Sequence, residues 1–317
     1  MRSRPQINLC GVQGFAGRKD LDTMAYQLSC SSSCDLSLEH LRRRNIEYIP
    51  FHYQMDGKDL LDDLGQTIPY PDFYKAMENG ADTRTSQINQ DEYEKFFTSF
   101  LEKGIDVLHV DLSTGISGTV NAARLARDAV KEKFPEREVI VVDSLAASSG
   151  FGLLMDAIAD RRDEGMSIQE AAQWAEDNKL YVHHWFFSTD LKFYIKGGRV
   201  SKTAGVVGTL LNICPLLNVD YLGRLIPRDK IRTKKKVIRE IVRRMEQHAQ
   251  NGLQYDGKCY ISNSACYEDA KEVADLIEAN FPNMKGKVLI NSIGSLIGSH
   301  TGPGTVALFF MGDKRVD

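Results

Sequence analysis

The sequence predicts an α/β fold in two domains, the first built on a doubly wound, mostly parallel sheet and the second a mixed α/β unit. Three observations predict it. At 317 residues with 42% hydrophobic side chains, the chain is long enough for about two cores. Through the first half, short apolar runs such as 107–112 and 139–142 alternate with segments of helical period, the pattern of a parallel sheet covered on both faces. Past Met166 the pattern turns mixed, with strand-like runs at 216–220 and 225–232 set around a turn at 221–224. On this division residues 1–23 are a loose N-terminal extension, 24–165 the N-terminal domain and 166–317 the C-terminal domain.

In chain order, 25–29 reads as the first strand, followed by a Ser- and Cys-rich polar turn and a helix at 36–44. Residues 46–53 alternate enough for one strand, and Asp56-Gly57 is a hairpin turn signal. A helix at 71–79 ends at Gly80, residues 83–87 form a polar linker, and a helix covers 91–103. The strand at 107–112 then runs through a hydroxyl- and glycine-rich turn into an Ala-rich helix, with Ser117 at the expected N-cap. Backbone N–H groups and the positive end of the helix dipole meet there, a setting that suits an anion. The strand at 139–142 ends in Asp143-Ser144, and a long helix covers 146–164. In the second half, Ser167 with Glu170 makes a capping box for a helix to Asn178. Strands are expected at 181–187, 216–220, 225–232, 258–262, 288–292 and 306–310, with helices at 191–196, 233–250 and 267–280.

Net charge is −3, which gives no whole-chain argument for nucleic acid or anionic lipid. No apolar run reaches the roughly 18 residues of a membrane span, so a cytoplasmic location is expected, with at most transient contact with a membrane surface. The six cysteines are scattered, and Cys30 and Cys34 lack partners at zinc spacing; neither a disulfide framework nor a metal site is expected. The basic stretch 224–244 reads as a solvated helix face or a docking surface for an acidic partner; it lacks the interleaved aromatics of a nucleic-acid site.

Four polar clusters stand out: Thr85-Ser86-Gln87, residues 113–119, residues 197–201 and residues 300–305. Each has an ordinary structural reading. Thr85 caps a turn, Ser117-Gly118-Thr119 caps a helix, Gly197-Gly198 stops one beside a solvated Arg199, and His300 is a hydrogen-bonded structural histidine. Together, and in this order with the Ser-rich turn before Asp35-Leu36, Asp56-Gly57, Asp143-Ser144 and 232–235, they resemble the DegV family of fatty-acid-binding proteins over about residues 25–315. Two departures are Ser31-Ser32 where the family usually has Asp-Ser, and Ile88 where proline is common after Gln87.

The resemblance implies a tunnel between the two domains that sequesters one long-chain fatty acid, C16–C18, and presents it to a fatty acid kinase subunit, with no cofactor and no catalysis of its own. Carried over by position, Thr85, Ser117 and Gly118 hold the carboxylate, His300 and Thr301 in the glycine-rich loop complete the head-group site, and Arg199 faces the head group or the kinase partner. Phe151, Leu153, Leu154, Ile158, Val206, Val207, Leu210, Leu211 and Ile213 offer apolar surface for a tail, though each is equally an ordinary core residue. The rival reading is a serine-dependent acyl hydrolase using Asp143 and His300, but no Gly-x-Ser-x-Gly elbow is present. Nor is there a Gly-x-x-x-x-Gly-Lys-Ser/Thr loop for a nucleotide.

Overall fold

A parallel sheet of four strands carries the first half of the chain, in the order β2-β1-β6-β7: β1 is Tyr26–Ser31, β2 Ile46–Ile49, β6 Asp106–Asp111 and β7 Val139–Asp143. The structure is a computed structural model, and it describes residues 26–200 and 213–316. The expected extension at 1–23 and the apolar residues Val206, Val207, Leu210 and Leu211 lie outside the described residues. Helices α1 (Leu38–Arg43), α3 (Gln90–Leu101), α4 (Thr119–Lys133) and α5 (Ser148–Asp163) belong to this half, as does α2 (Tyr70–Glu78). Strand order reverses between β1 and β6, and Ser31, Asp111 and Asp143 stand together at the carboxyl ends, where open α/β sheets hold their ligands.

The run expected as one strand at 46–53 is two. Pro50 cannot donate a ladder hydrogen bond, and the chain changes sheet there. β3 (His52–Met55) pairs with β4 (Lys58–Leu61) across Asp56-Gly57, both at positive φ, as a type I′ hairpin requires. On its other edge β3 takes β5 (Thr83–Ser86), with Tyr53 opposite Thr85. Residues 83–86, expected as a linker, are therefore the edge strand of a three-stranded antiparallel sheet. This register sets Thr85 beside a buried tyrosine.

The second half is a mixed six-stranded sheet in the order β10-β9-β8-β13-β11-β12. Its strands are β8 (Val182–Ser188), β9 (Ile213–Val219), β10 (Leu225–Arg232), β11 (Cys259–Asn263), β12 (Val288–Ser292) and β13 (Thr305–Met311); only β11 and β12 run parallel. Its helices are α6 (Ile168–Asn178), which carries the predicted Ser167/Glu170 capping box, α7 (Lys192–Lys196), α8 (Lys234–His248) and α9 (Tyr267–Asn280).

A short helix that the sequence reading does not foresee, α10 (Ser295–Thr301), carries His300 in its last turn. The expected glycine-rich loop thus starts inside a helix. Gly302 ends it at φ 67, where a side chain would run into the Phe193 ring.

The core is continuous between the halves. Residues 148–155 of α5 are all buried, so the helix is covered on every side, by the parallel sheet's Leu28 and Val110 and by Phe186, Tyr260 and Phe309 of the mixed sheet. Phe151, Leu153, Leu154 and Ile158 are spent in this packing. The five cysteines among the described residues are free thiols; Cys30 and Cys34 sit 3.8 Å apart, sulfur to sulfur.

Candidate functional site

Between the parallel-sheet half and the mixed sheet lies a cavity with about 240 Å³ of room for the centres of water molecules, many times the ~10–15 Å³ that one water needs. Its floor is one face of the mixed sheet. Side chains two apart on a strand share a face, so His184 and Phe186 of β8 line it with Thr305, Ala307 and Phe309 of β13. The register places Phe309 directly opposite His184 and Ala307 opposite Phe186. Phe51, Leu112, Ile116, Val219, Leu225, Ile293, Leu296 and Ile297 close the apolar walls. None of the core residues of α5 considered above for a tail lines it.

The polar residues gather from three remote parts of the chain. Thr85 arrives on β5, Ser117 on the turn after β6, and His300 and Thr301 on α10; all four line the cavity. Thr85 Oγ1 and His300 Nε2 are 2.7 Å apart. His300 Nδ1 and Thr301 Oγ1 are buried and have no hydrogen-bond partner in the structure. Ser117 is not the helix cap that its position suggested. Gly118 holds the N-cap position of α4 without a side-chain bond, and Ser117 takes only a long 3.4 Å contact from the Thr119 N–H. Its O–H donates to no partner among the described residues. Gly118 itself does not line the cavity; it lies where a Cβ would come to 3.1 Å from the Gln87 amide.

Arg199, half-buried, lines the same cavity, with its guanidinium donating to the carbonyl of Gly197. Burial lowers its pKa. Burial, helped by the Arg199 charge, also drives the His300 pKa down to about 4, so at neutral pH the imidazole carries one proton. With that proton on Nε2, donated to Thr85 Oγ1, the threonine O–H is released to point at an anion; the other tautomer would consume it. His184, fully buried on the floor, is likewise held neutral by desolvation.

Among the described residues that line the cavity, Arg199 is the one permanent charge and no carboxylate appears. Greasy walls, a cluster of hydroxyls and one guanidinium suit an amphiphile with an anionic head. Asp143, the carboxylate considered for a hydrolase, does not line the cavity that His300 lines. Asp143 is occupied by Thr114 and by the Leu145 N–H, and among the described residues no carboxylate orients His300. Sequence reasoning singled out Ser86 and Gln87 in the first polar cluster without giving them a site role, and missed Ser148, His184 and Tyr194 as lining residues. The strand alternation at His184 and Phe186 is the signal that could have found the floor. The departure at Ser31 is absorbed locally: its hydroxyl donates to Asp111 at 2.6 Å, beneath the site rather than in it.

Comparison with known proteins shows what the chain as a whole is similar to. The profile of the DegV family, described as uncharacterised proteins, matches residues 29–313. A DegV domain-containing protein of Clostridium perfringens is 33% identical over 90% of this chain and 96% of its own length, and one of Lactococcus lactis is 31% identical over 92% and 99%. Among solved structures, a DegV family protein of Thermus thermophilus, described by its fatty acid binding, superposes with a TM-score of 0.79 at 26% identity, covering 91% of this chain and 100% of that one. The Fatty Acid Kinase (Fak) B3 protein of Streptococcus pneumoniae, loaded with linoleic acid, gives 0.78 at 20% identity over 92% and 100% and shows the shared fold.

Proposed function

The chain belongs to the DegV family, and on that footing we propose that it binds one long-chain fatty acid, C16–C18, and presents the head group to a fatty acid kinase subunit without catalysing a reaction itself. The tail fills the apolar cavity over Phe186, Ala307 and Phe309. The carboxylate lies at the polar end, taking hydrogen bonds from Thr85 and Ser117, with Thr301 and the Arg199 charge close by. The single observation that supports this most is the composition of the cavity wall: a largely apolar lining that also carries hydroxyls and one cation, with no carboxylate among the described lining residues. The relatives with bound fatty acids support the same ligand class.

The energetics divide the labour. Burying about fourteen methylenes at ~0.8 kcal/mol each supplies on the order of 11 kcal/mol before ordering costs. Each charge-assisted hydrogen bond to the carboxylate adds about 1.5–3 kcal/mol. The tail therefore sets affinity and the head group sets orientation. Arg199 reaches the wall beside the head group, so it is the residue through which a kinase partner would sense an occupied site. No helix among the described residues is long and apolar enough to cross a membrane; the ligand is taken up from solution or from a membrane surface.

Denaturing mass spectrometry of the purified full chain tests the proposal. The expected result is one co-purified C16–C18 acid per chain, released without a covalent adduct. An acyl adduct on a serine would overturn it in favour of the hydrolase.

A further inference from the structure

The mixed sheet has a second face, and a separate cluster of chemistry lies on it. Along β8, His184 and Phe186 point into the lipid cavity, so His183 and Trp185 stand on the opposite side. There His183 meets His248, the last residue of α8, and Asp313, two residues past the end of β13. From these three residues we infer a binding site for a borderline divalent transition-metal ion of the Zn²⁺ class.

The donor atoms converge. His183 Nε2 lies 2.9 Å from Asp313 Oδ1, and His248 Nδ1 lies 3.1 Å from the same oxygen. The Asp313 carbonyl oxygen, a possible fourth donor, is 2.8 Å from His183 Nε2. A tetrahedral ion with bonds of about 2.0–2.2 Å holds its ligand atoms about 3.3–3.6 Å apart, so the donors here need to open by only a few tenths of an ångström to admit one. Two imidazoles and one carboxylate are the ligand set of zinc and of neighbouring first-row ions, and a poor one for Mg²⁺ or Ca²⁺.

The cluster is also held in place before any ion arrives. Gly312 donates to the Tyr181 carbonyl at 2.8 Å and Asp313 to the His248 carbonyl at 2.9 Å, which fixes the segment against both histidine-bearing elements. The rings stack in sequence: Phe310 on His183 at 5.2 Å, His183 on His248 at 5.0 Å, and His248 on Trp185 at 5.8 Å. Neither imidazole can swing away without breaking that stack. Asp313 is exposed and the trio lines a cavity of its own, so an ion has a way in. Arg228, Arg244, Lys314 and Arg315 share this wall; Arg244 is paired with Asp229 and Glu240, Arg228 donates to Asn218, and Arg315 is turned to the Val219 and Asp220 carbonyls.

The competing account is that the trio is only a hydrogen-bonded latch for the C-terminal segment. Glutamine and asparagine separate the two, because they retain hydrogen bonding and lose metal ligation. The full-length chain is stripped with chelator and titrated with ZnCl₂ by calorimetry, with Co²⁺ absorption as a second readout. One equivalent of Zn²⁺ is expected to bind, to raise Tm by mass action, and to be weakened at least tenfold by His248→Gln and by Asp313→Asn, each with unchanged circular dichroism. The variants alter partly exposed or exposed side chains and leave buried His183 intact. Absence of saturable binding, or one-equivalent binding that both variants retain, overturns the inference.

Discussion

A single methyl group at Gly197 should disable the head-group site. Gly197 closes α7 at φ −74, a conformation any residue accepts, so alanine there brings no backbone strain. It does bring a collision: the added Cβ would stand 2.3 Å from His300 Nδ1, where ordinary contact begins near 3.4 Å, so the ring must retreat by about 1.1 Å. A shift of that size ruins the 2.7 Å bond between His300 Nε2 and Thr85 Oγ1, whether by stretching or by clash. Overpacking costs about 1–3 kcal/mol of stability. Loss of the ordered Thr85 hydroxyl removes about 1.5–3 kcal/mol from carboxylate binding, roughly a 10- to 150-fold rise in Kd. Displacement of a fluorescent fatty acid measures the second effect and thermal unfolding the first. Gly198→Ala is the control: Gly198 sits at φ +73 with nothing near its missing Cβ, so strain of about 1–2 kcal/mol appears in Tm without a change in affinity. If Gly197→Ala binds the probe as tightly as the unaltered chain, the assignment of Thr85 and His300 to the head group is wrong.

Thr85→Ala and Ser117→Ala should each weaken fatty-acid binding roughly tenfold, against a far smaller effect of Ser99→Ala, whose hydroxyl is turned to a local carbonyl; equal Kd values for all three would remove the hydroxyl anchor. Arg199→Ala should raise the His300 titration midpoint followed by NMR, because both the cation and part of the burial that depress it disappear; a midpoint that stays or falls contradicts the electrostatics. His300 binds a proton more readily unfolded than folded, so its contribution to stability is full above about pH 6.5 and is lost as pH falls toward about 4. Urea unfolding across that window should show a shallower loss in His300→Gln than in the unaltered chain. Asp156 is buried, which disfavours its charge, but His40, Lys258 and Tyr260 hydrogen-bond it and hold its pKa below the usual carboxylate value. It links α1 and α5 to β11, and Asp156→Ala should cost about 3 kcal/mol in urea unfolding at pH 7, a penalty that shrinks as pH falls below about 4.

The periodic parts of the fold are legible in the sequence because one physical pattern decides them. The run 107–111 packs as a strand, 119–133 as a helix with its apolar face inward, and Ser167 with Glu170 caps α6 through paired local bonds. β5 is not legible: only Thr83 of its four residues is buried, and the strand exists because β3 offers an edge. Helix α10 is hidden by one glycine and two serines, and it forms where Gly298 packs flush against Phe73 and Tyr74. For the site, periodicity finds the turn at Ser117. Thr85 and His300 are 215 residues apart in sequence, so their pairing came from the family order of motifs rather than from local physics. The same distance hides His183, His248 and Asp313, which no spacing rule connects.

The most direct test of the lipid-carrier account is a crystal structure of the full-length chain with stearate. The account predicts one acyl chain in the cavity over Phe186 and Phe309, with a carboxylate oxygen within hydrogen-bond reach of both Thr85 Oγ1 and Ser117 Oγ. A cavity that stays empty at saturating stearate, or a carboxylate bound away from those two hydroxyls, would contradict it.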